Sequence, residues 1–288
     1  MFPTKACAIV NEMYFAAAKN ALYARQGRAS ANDMAAQTRA LFQADTNLMF
    51  YYNHTFADGR WSHFMDQTHI GYTNWRDPEF NNMDAIKLTE IKVPDAATLG
   101  VAVEGSENAW SNTNSEEAIL PKFDSFNRQR HYVEVFNKGK TSFEFTAIAD
   151  KPWITLSDSQ GRVDKDKRLW VGVNWSKAPK GNARGTVKIT GAGREVVVKI
   201  NAFNPTEVTR DSLRGFVEGA GVVSIEPEHF TKKTDIGENR WIRIEDYGRT
   251  WSGMRATQPV DAPALHREKI RRALNIKRIS STRARWKL

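Results

Sequence analysis

The chain has 288 residues, 41% of them apolar and 11% aromatic, which is ample for packed cores; wholesale disorder is excluded and two or more globular units are expected. The formal charge of +9 suggests a nucleic-acid binder until it is divided by position: from Leu265 to Leu288 nine Lys or Arg face Glu268 alone, a net +8, which leaves +1 for everything before. Cys7 is the single cysteine, so no intrachain disulfide framework exists, and no apolar run approaches the ~18 residues of a membrane span.

Residues 1–66 read as a partial helical bundle. Ile9, Met13, Ala16 or Ala17, and Asn20 or Ala21 recur at three- and four-residue intervals, and Gly27 stands where a C-terminal glycine belongs. Glu12 and Lys19 interrupt any signal-peptide core, so no leader is expected in this stretch. Ser30, with Asp33 three positions on, predicts the start of a second helix through an acidic relative of the capping box. Its expected core stripe is Met34, Leu41, Phe42, Leu48, Met49 and Tyr52, and Asp58-Gly59 closes it. With a short third helix these form a hairpin whose wide apolar face needs partners, and too few helices remain here to cover it.

Residues 67–98 hold little periodicity and read as a linker. It opens within "MDQTHIGYTNWRDP", Met65 to Pro78, which gathers His69, Tyr72, Trp75 and Arg76 around Gly71. From residue 99 the period switches to two. Strands are expected at "VAVEGS", "HYVEVFN", "FEFTAIA", "PWITLS", "RLWVGVNW", "GTVKITG" and "REVVVKINAF", the pattern of an immunoglobulin-like β-sandwich over 99–206. Residues 207–263 continue strand-like, through "GFVEGAGVVSIEPEHFT" and "RWIRIEDYGRTWSGM", but are too few for a second full sandwich. Residues 264–288 are a basic tail. The expected class is therefore α+β and multidomain: a partial helical bundle, an immunoglobulin-like sandwich and a truncated second β-sandwich module.

Familiar catalytic signatures are missing: there is no G-x-S-x-G elbow, no P-loop and no C-x-x-C pair. "GAGREV" from Gly191 lies between two alternating strands and reads as a hairpin turn. His54, His63 and His69 are nine and six apart, which puts no pair on one helix face at a metal-binding interval; they read as hydrogen-bonded histidines. Glu104, Glu134, Glu226 and Glu228 are strand-associated acids, of the type that serves glycoside hydrolysis when two stand at the right separation, and otherwise the solvent-facing acids of any sandwich. Most of the nine tryptophans are expected in the core, and one or two exposed on a rim would suggest a carbohydrate partner.

The runs "ACAIVNEMYFAAAKNALYARQGRASAND", "YYNHTFADGRWSHFMDQTHIGYTNWRDP", "LGVAVEGSENAW", "YVEVFNKG", "ADKPWITLS", "GFVEGAGVVSIEPEHF" and "DYGRTWSGM" together resemble glycoside hydrolase family 115, the xylan α-1,2-glucuronidases, in the right order from residue 3 to about 260. The resemblance implies the back half of such an enzyme. A barrel carrying the catalytic residues precedes this region in the family, so no catalytic residue is carried over and no hydrolysis by this chain is expected. It implies no cofactor. The pattern is left near Pro263, after which the tail reads either as a frameshift product or as a polyanion-binding helix.

"SIEPEHF" is similar to the opening strand of galactose-binding-like carbohydrate modules, which implies a structural calcium at Glu226 or Glu228. For Tyr72, Trp75 and Arg76 two readings stand. In one, Tyr72 and Trp75 pack across a junction that Gly71 turns; in the other, all three border the glucuronoxylan cleft of a complete enzyme, with Arg76 forking onto a uronate carboxylate. The expected partners are a catalytic barrel or a second copy through the helical face, and a xylan-type glycan. Nucleic acid is expected only weakly, through the tail, and a membrane not at all. Complete family members are often exported. Three functional readings follow: accessory portion of an α-glucuronidase, stand-alone glycan-binding sandwich, or truncated product without an independent role.

Overall fold

The computed structural model describes residues 2–112, 117–209, 211–213, 215–219, 221–235, 239–247 and 252–257, with strand residues 274–275 and 278–279. The chain divides into two compact units. The first comprises Met1–Leu120, His131–Gly172 and Gly185–Ile200; the second comprises Pro121–Arg130, Val173–Arg184 and Asn201–Leu288.

The first unit opens with α1 (Phe2–Gln26) and α2 (Ala31–Phe50), packed as a hairpin. On α1 the buried stripe is Met13, Ala16, Asn20 and Tyr23, as the three-four spacing predicts. On α2 the buried stripe is Ala31, Ala35, Thr38, Asp45 and Met49, not the larger apolar set. Small side chains let the two helices approach closely, which turns Leu41, Phe42 and Leu48 partly toward solvent. Gly27 takes φ +69 and ends α1. Ser30 does not cap α2: its own backbone is already right-handed helical, at φ −78 and ψ −2, and its hydroxyl makes no cap bond. Asp33 instead pairs with Lys165, 2.7 Å from Nζ.

In place of a short third helix, α2 widens into a π turn over Tyr51–Thr55 and then a tight turn over Phe56–Gly59. Ala57, Asp58 and Gly59 follow one another with φ of 53°, 54° and 72°, and consecutive left-handed residues cannot continue a right-handed helix. Residues 67–98 fold back onto the hairpin. The Asn20 amide donates to the Thr89 carbonyl and accepts from the Thr89 N–H, at 2.9 and 2.8 Å. The Asn32 amide does the same with Ile91, both bonds at 2.9 Å. Each helical asparagine thus imitates the edge of a strand, satisfying backbone groups that lack a sheet partner.

Beyond residue 98 the strands are β1 (Leu99–Val103), β2 (Ala118–Ile119), β3 (Phe123–Asp124), β4 (His131–Asn137), β5 (Phe143–Ala149), β6 (Ile154–Leu156), β7 (Gln160–Val163), β8 (Asp166–Val173), β9 (Gly181–Gly191) and β10 (Arg194–Asn204). One sheet has the order β1-β4-β8-β6, the other β2-β10-β9-β5-β7, with β3 also on β10. In the four-stranded sheet β4 is antiparallel to both neighbours, with Leu99 opposite Asn137 and His131 opposite Val171. Alternation sorts the faces: Val133, Val135, Leu169 and Val171 of one sheet and Phe145, Ala147, Val187, Ile189, Val196 and Val198 of the other are buried. The β9–β10 turn places both Ala192 and Gly193 at positive φ, the geometry of a two-residue type I′ hairpin.

In the second unit the buried Asp124 organises the turn that follows β3. Its carboxylate accepts from the N–H groups of Phe126 and Asn127, at 3.0 and 2.7 Å, and from the amides of Asn127 and Gln129, at 3.0 and 2.6 Å. The later strands are β11 (Phe216–Val217), β12 (Lys232–Lys233), β13 (Arg240–Glu245), β14 (Ser252–Thr257), β15 (Leu274–Asn275) and β16 (Arg278–Ile279). They pair two by two, β11 with β16, β12 with β15 and β13 with β14. The expected basic tail, apart from the residues of β15 and β16, lies outside the described residues.

Candidate functional site

Two places in the first unit bring chemistry-bearing side chains together. The first is the loop from Met65 to Pro78. Its start is held by Asn81, whose side-chain oxygen accepts from the N–H groups of His69 and Ile70 at 2.8 and 3.0 Å, and by the fully buried Ile70. His69 Nε2 lies 2.8 Å from Asp45 Oδ2 on α2, and Nδ1 lies 2.9 Å from the Gln67 carbonyl. Both ring nitrogens face oxygen acceptors. Gly71 takes φ +95, and a Cβ there would meet the Asn82 carbonyl oxygen at 3.0 Å, so the turn requires glycine on two counts.

Beyond Gly71 the loop opens to solvent. The Tyr72 hydroxyl donates to Asp77, a bond that raises its pKa above the ordinary tyrosine value. Trp75 is 86% exposed, and the Arg76 guanidinium lies 5.3 Å from its ring centroid. Tyr72 and His69 line a groove of about 480 Å³ with Cys7, Val10, Met49 and Phe64; Trp75 and Arg76 stand outside it. The three predicted site residues thus share a loop but not a pocket. Phe15, Phe50, Tyr51, Phe56, Phe64 and Phe80 are also exposed, which makes the helical region the aromatic-rich surface of this unit.

The second place is the outer face of the four-stranded sheet. Cross-strand rows there read Phe136 beside Asp166, Glu134 beside Arg168, and Tyr132 beside Trp170. Arg28, one residue past Gly27, covers the first row. Its side chain is 1% exposed, and its guanidinium sits between the rings of Tyr23 and Phe136, 4.2 and 4.3 Å from their centroids. Nε donates to Gln26 Oε1 at 2.6 Å, and Nη1 reaches Glu134 Oε2 at 2.8 Å and Asp166 Oδ1 at 3.1 Å. The Phe136 ring can lie this low because residue 100 is glycine: a Cβ there would be 2.2 Å from the ring.

Glu134 passes the network on. Its second oxygen accepts from Arg168 Nη2 at 2.7 Å, and Arg168 lies over the Tyr132 ring at 4.0 Å. Burial pushes the Glu134 pKa up, but the Arg168 hydrogen bond and the Arg28 charge outweigh it and hold the carboxyl below its usual range. Tyr132 meets Trp170 edge to face, centroids 5.8 Å apart, and Trp170 is 38% exposed.

The other predicted acids and histidines find ordinary partners. Glu104 accepts from the Tyr132 N–H at 2.9 Å and lies 3.3 Å from His131. His54 bonds the Phe50 carbonyl, and His63 pairs with Asp66. Glu226 and Glu228 flank Pro227 in a short 3-10 turn. Among the described residues no three His, Cys, Asp or Glu gather as a metal would need. Trp110 and Trp153 are buried; Trp251 lies outside the described residues. Sequence reasoning missed Arg28, Asp45 and the Tyr132–Trp170 corner. For the corner the signal was present, since Tyr132 and Trp170 both fall on outward positions of alternating strands.

The fold so far is a helical region followed by antiparallel sheets, with no metal cluster at either place among the described residues. Comparison of the sequence adds to this: residues 215–274 match the glycosyl hydrolase family 115 C-terminal domain, consistent with a C-terminal portion of that family. The match runs past Pro263, further than the resemblance was read from the sequence. No curated protein matches the chain. Among solved structures it is similar to the YadV chaperone, at 10% identity over 33% of this chain and 53% of that one, with TM-score 0.27. It is similar to a Bacteroides ovatus GH5 xyloglucanase in complex with a XXXG heptasaccharide, at 15% identity over 40% and 21%, with TM-score 0.27. It is also similar to the periplasmic chaperone SfaE, at 9% identity over 39% and 62%, with TM-score 0.28. In each case the match spans less than two thirds of the solved chain.

Proposed function

We propose that this chain is the non-catalytic C-terminal portion of a family 115-like α-glucuronidase, accessory to a catalytic barrel that removes glucuronic acid side chains from xylan. The observation that carries the reading is the match of residues 215–274 to that family's C-terminal domain. The two-sheet module is read as an immunoglobulin-like sandwich that holds the helical hairpin, and the exposed aromatic surface of the hairpin as the face that packs on the barrel. Trp75 and Arg76 then stand at the rim of the glycan cleft, the indole for stacking on a sugar ring and the guanidinium for a uronate carboxylate.

The test is co-expression with the barrel of a family 115 enzyme. The expected result is a complex that co-purifies and releases glucuronic acid from glucuronoxylan, while this chain alone releases none. In that complex Arg76→Ala raises KM with little change in kcat. Failure to form a complex, together with full activity of the barrel alone, would overturn the accessory role; an unchanged KM would remove Arg76 from the cleft.

A further inference from the structure

We propose that the Tyr132–Trp170 corner on the outer face of the four-stranded sheet is a binding subsite for a neutral stretch of polysaccharide backbone. The inference rests on the functional reading above only in taking a plant-type polysaccharide as the ligand at hand. It concerns a different face from the loop that carries Trp75 and Arg76.

The argument starts from exposure. An indole on the middle of a strand is normally an inward, core-filling residue, yet Trp170 points outward and is 38% exposed between Leu169 and Val171, which are buried on the other face. That leaves on the order of 90 Å² of the residue exposed, comparable to the footprint of one pyranose and far below the roughly 800 Å² per partner of a stable protein interface. The surroundings are polar. Arg168, Glu134 and Glu104 flank the corner, and the Ser157 hydroxyl accepts from the Trp170 backbone N–H at 3.0 Å. A single aromatic face ringed by hydrogen-bonding groups has the composition of a sugar site, whereas a protein contact asks for a broad apolar centre.

The corner is also built to stay in place. Trp170 leans on Tyr132, Tyr132 lies under Arg168, Arg168 is fixed by Glu134, and Glu134 is fixed by the buried Arg28. Both side chains sit on paired strands, and little rotamer freedom remains to be lost when a ligand arrives. Fixed charges that already satisfy one another suit a neutral sugar ring better than an ionic ligand.

The experiment is affinity electrophoresis of the full chain through gels containing soluble neutral xylan or mixed-linkage β-glucan, in 0.3 M NaCl so that the charge of the basic tail contributes little. The expected result is retardation by one of these glycans, with Trp170→Ala weakening the apparent affinity about tenfold and Trp170→Phe restoring part of it. Ile148→Ala, an exposed position on β5 of the other sheet, leaves it unchanged. No retardation, or equal retardation of the Trp170→Ala variant with its circular dichroism intact, overturns the proposal. Self-association in sedimentation that is lost in Trp170→Ala would assign the corner to a protein contact and overturn it too. Glycan retardation and complex formation with the barrel are read separately, so either reading can fail alone.

Discussion

Replacing Arg28 tests whether a single buried guanidinium joins the helical hairpin to the sheet. In Arg28→Ala the slot between Tyr23 and Phe136 empties, Gln26 loses its partner, and Glu134 and Asp166 lose a shared cation. Removing one partner of a buried ion pair costs ~3–5 kcal/mol. Glu134 keeps Arg168 and Asp166 is 29% exposed, which places the loss toward the lower end, about 3 kcal/mol. Arg28→Met fills the slot between the rings without the charge and should recover the part of that loss that comes from packing. The assay is urea denaturation followed by far-UV circular dichroism, with hydrogen exchange on residues 2–50 to see whether the hairpin loosens before the sheets. Arg28→Ala within 1 kcal/mol of the parent would refute the reasoning. A Met variant no better than Ala would locate the effect in the charge alone.

Two further outcomes follow from named groups. Gly71→Ala forces a Cβ against the Asn82 carbonyl at a left-handed position and should destabilise the loop by ~1–3 kcal/mol, read as faster amide exchange over residues 65–85; unchanged exchange would contradict the geometry. Because the Glu134 carboxyl titrates lower when folded than its ordinary ~4.3, its contribution is complete above that pH and is lost as pH falls through the folded value. Acid unfolding of Glu134→Gln should therefore be shallower than that of the parent in that window, and superimposable curves would show that Glu134 carries none of the dependence.

Much of the fold could be read from period and punctuation. "HYVEVFN" and "FEFTAIA" coincide with β4 and β5 because strict alternation leaves one face to bury, and Ala192-Gly193 turns the next hairpin because two positive φ angles are cheap there. β7 was not legible: Gln160, Gly161 and Arg162 have no strand texture, and pairing with β5 alone makes them a strand. The α2 stripe was misjudged because periodicity weighs residue size as if it were burial, whereas close helix contact selects Ala35 and Thr38 over Leu41. Ser30 carried a capping signature that the tight turn after Gly27 overrides. Of the sites, the loop of Tyr72, Trp75 and Arg76 stood out by residue mix. Arg28 gave no local signal, since the groups that hold its charge, Glu134 and Asp166, and the Phe136 ring lie more than a hundred residues away.

The placement of that arginine has a mechanical side. It sits at the closed end of the hairpin, while Phe2 and Tyr52 meet at the opposite end, rings 4.2 Å apart. At 1.5 Å per residue α1 is on the order of 37 Å long, so the hairpin is a lever with its fulcrum on the sheet. One degree of play at the fulcrum displaces the tip by about 0.6 Å over that length. Three acceptors and two rings around one guanidinium remove such play at the fulcrum, and the Asp45–His69 bond acts as a stay along the arm. The aim of the aromatic tip is thereby set at the far end from the tip itself.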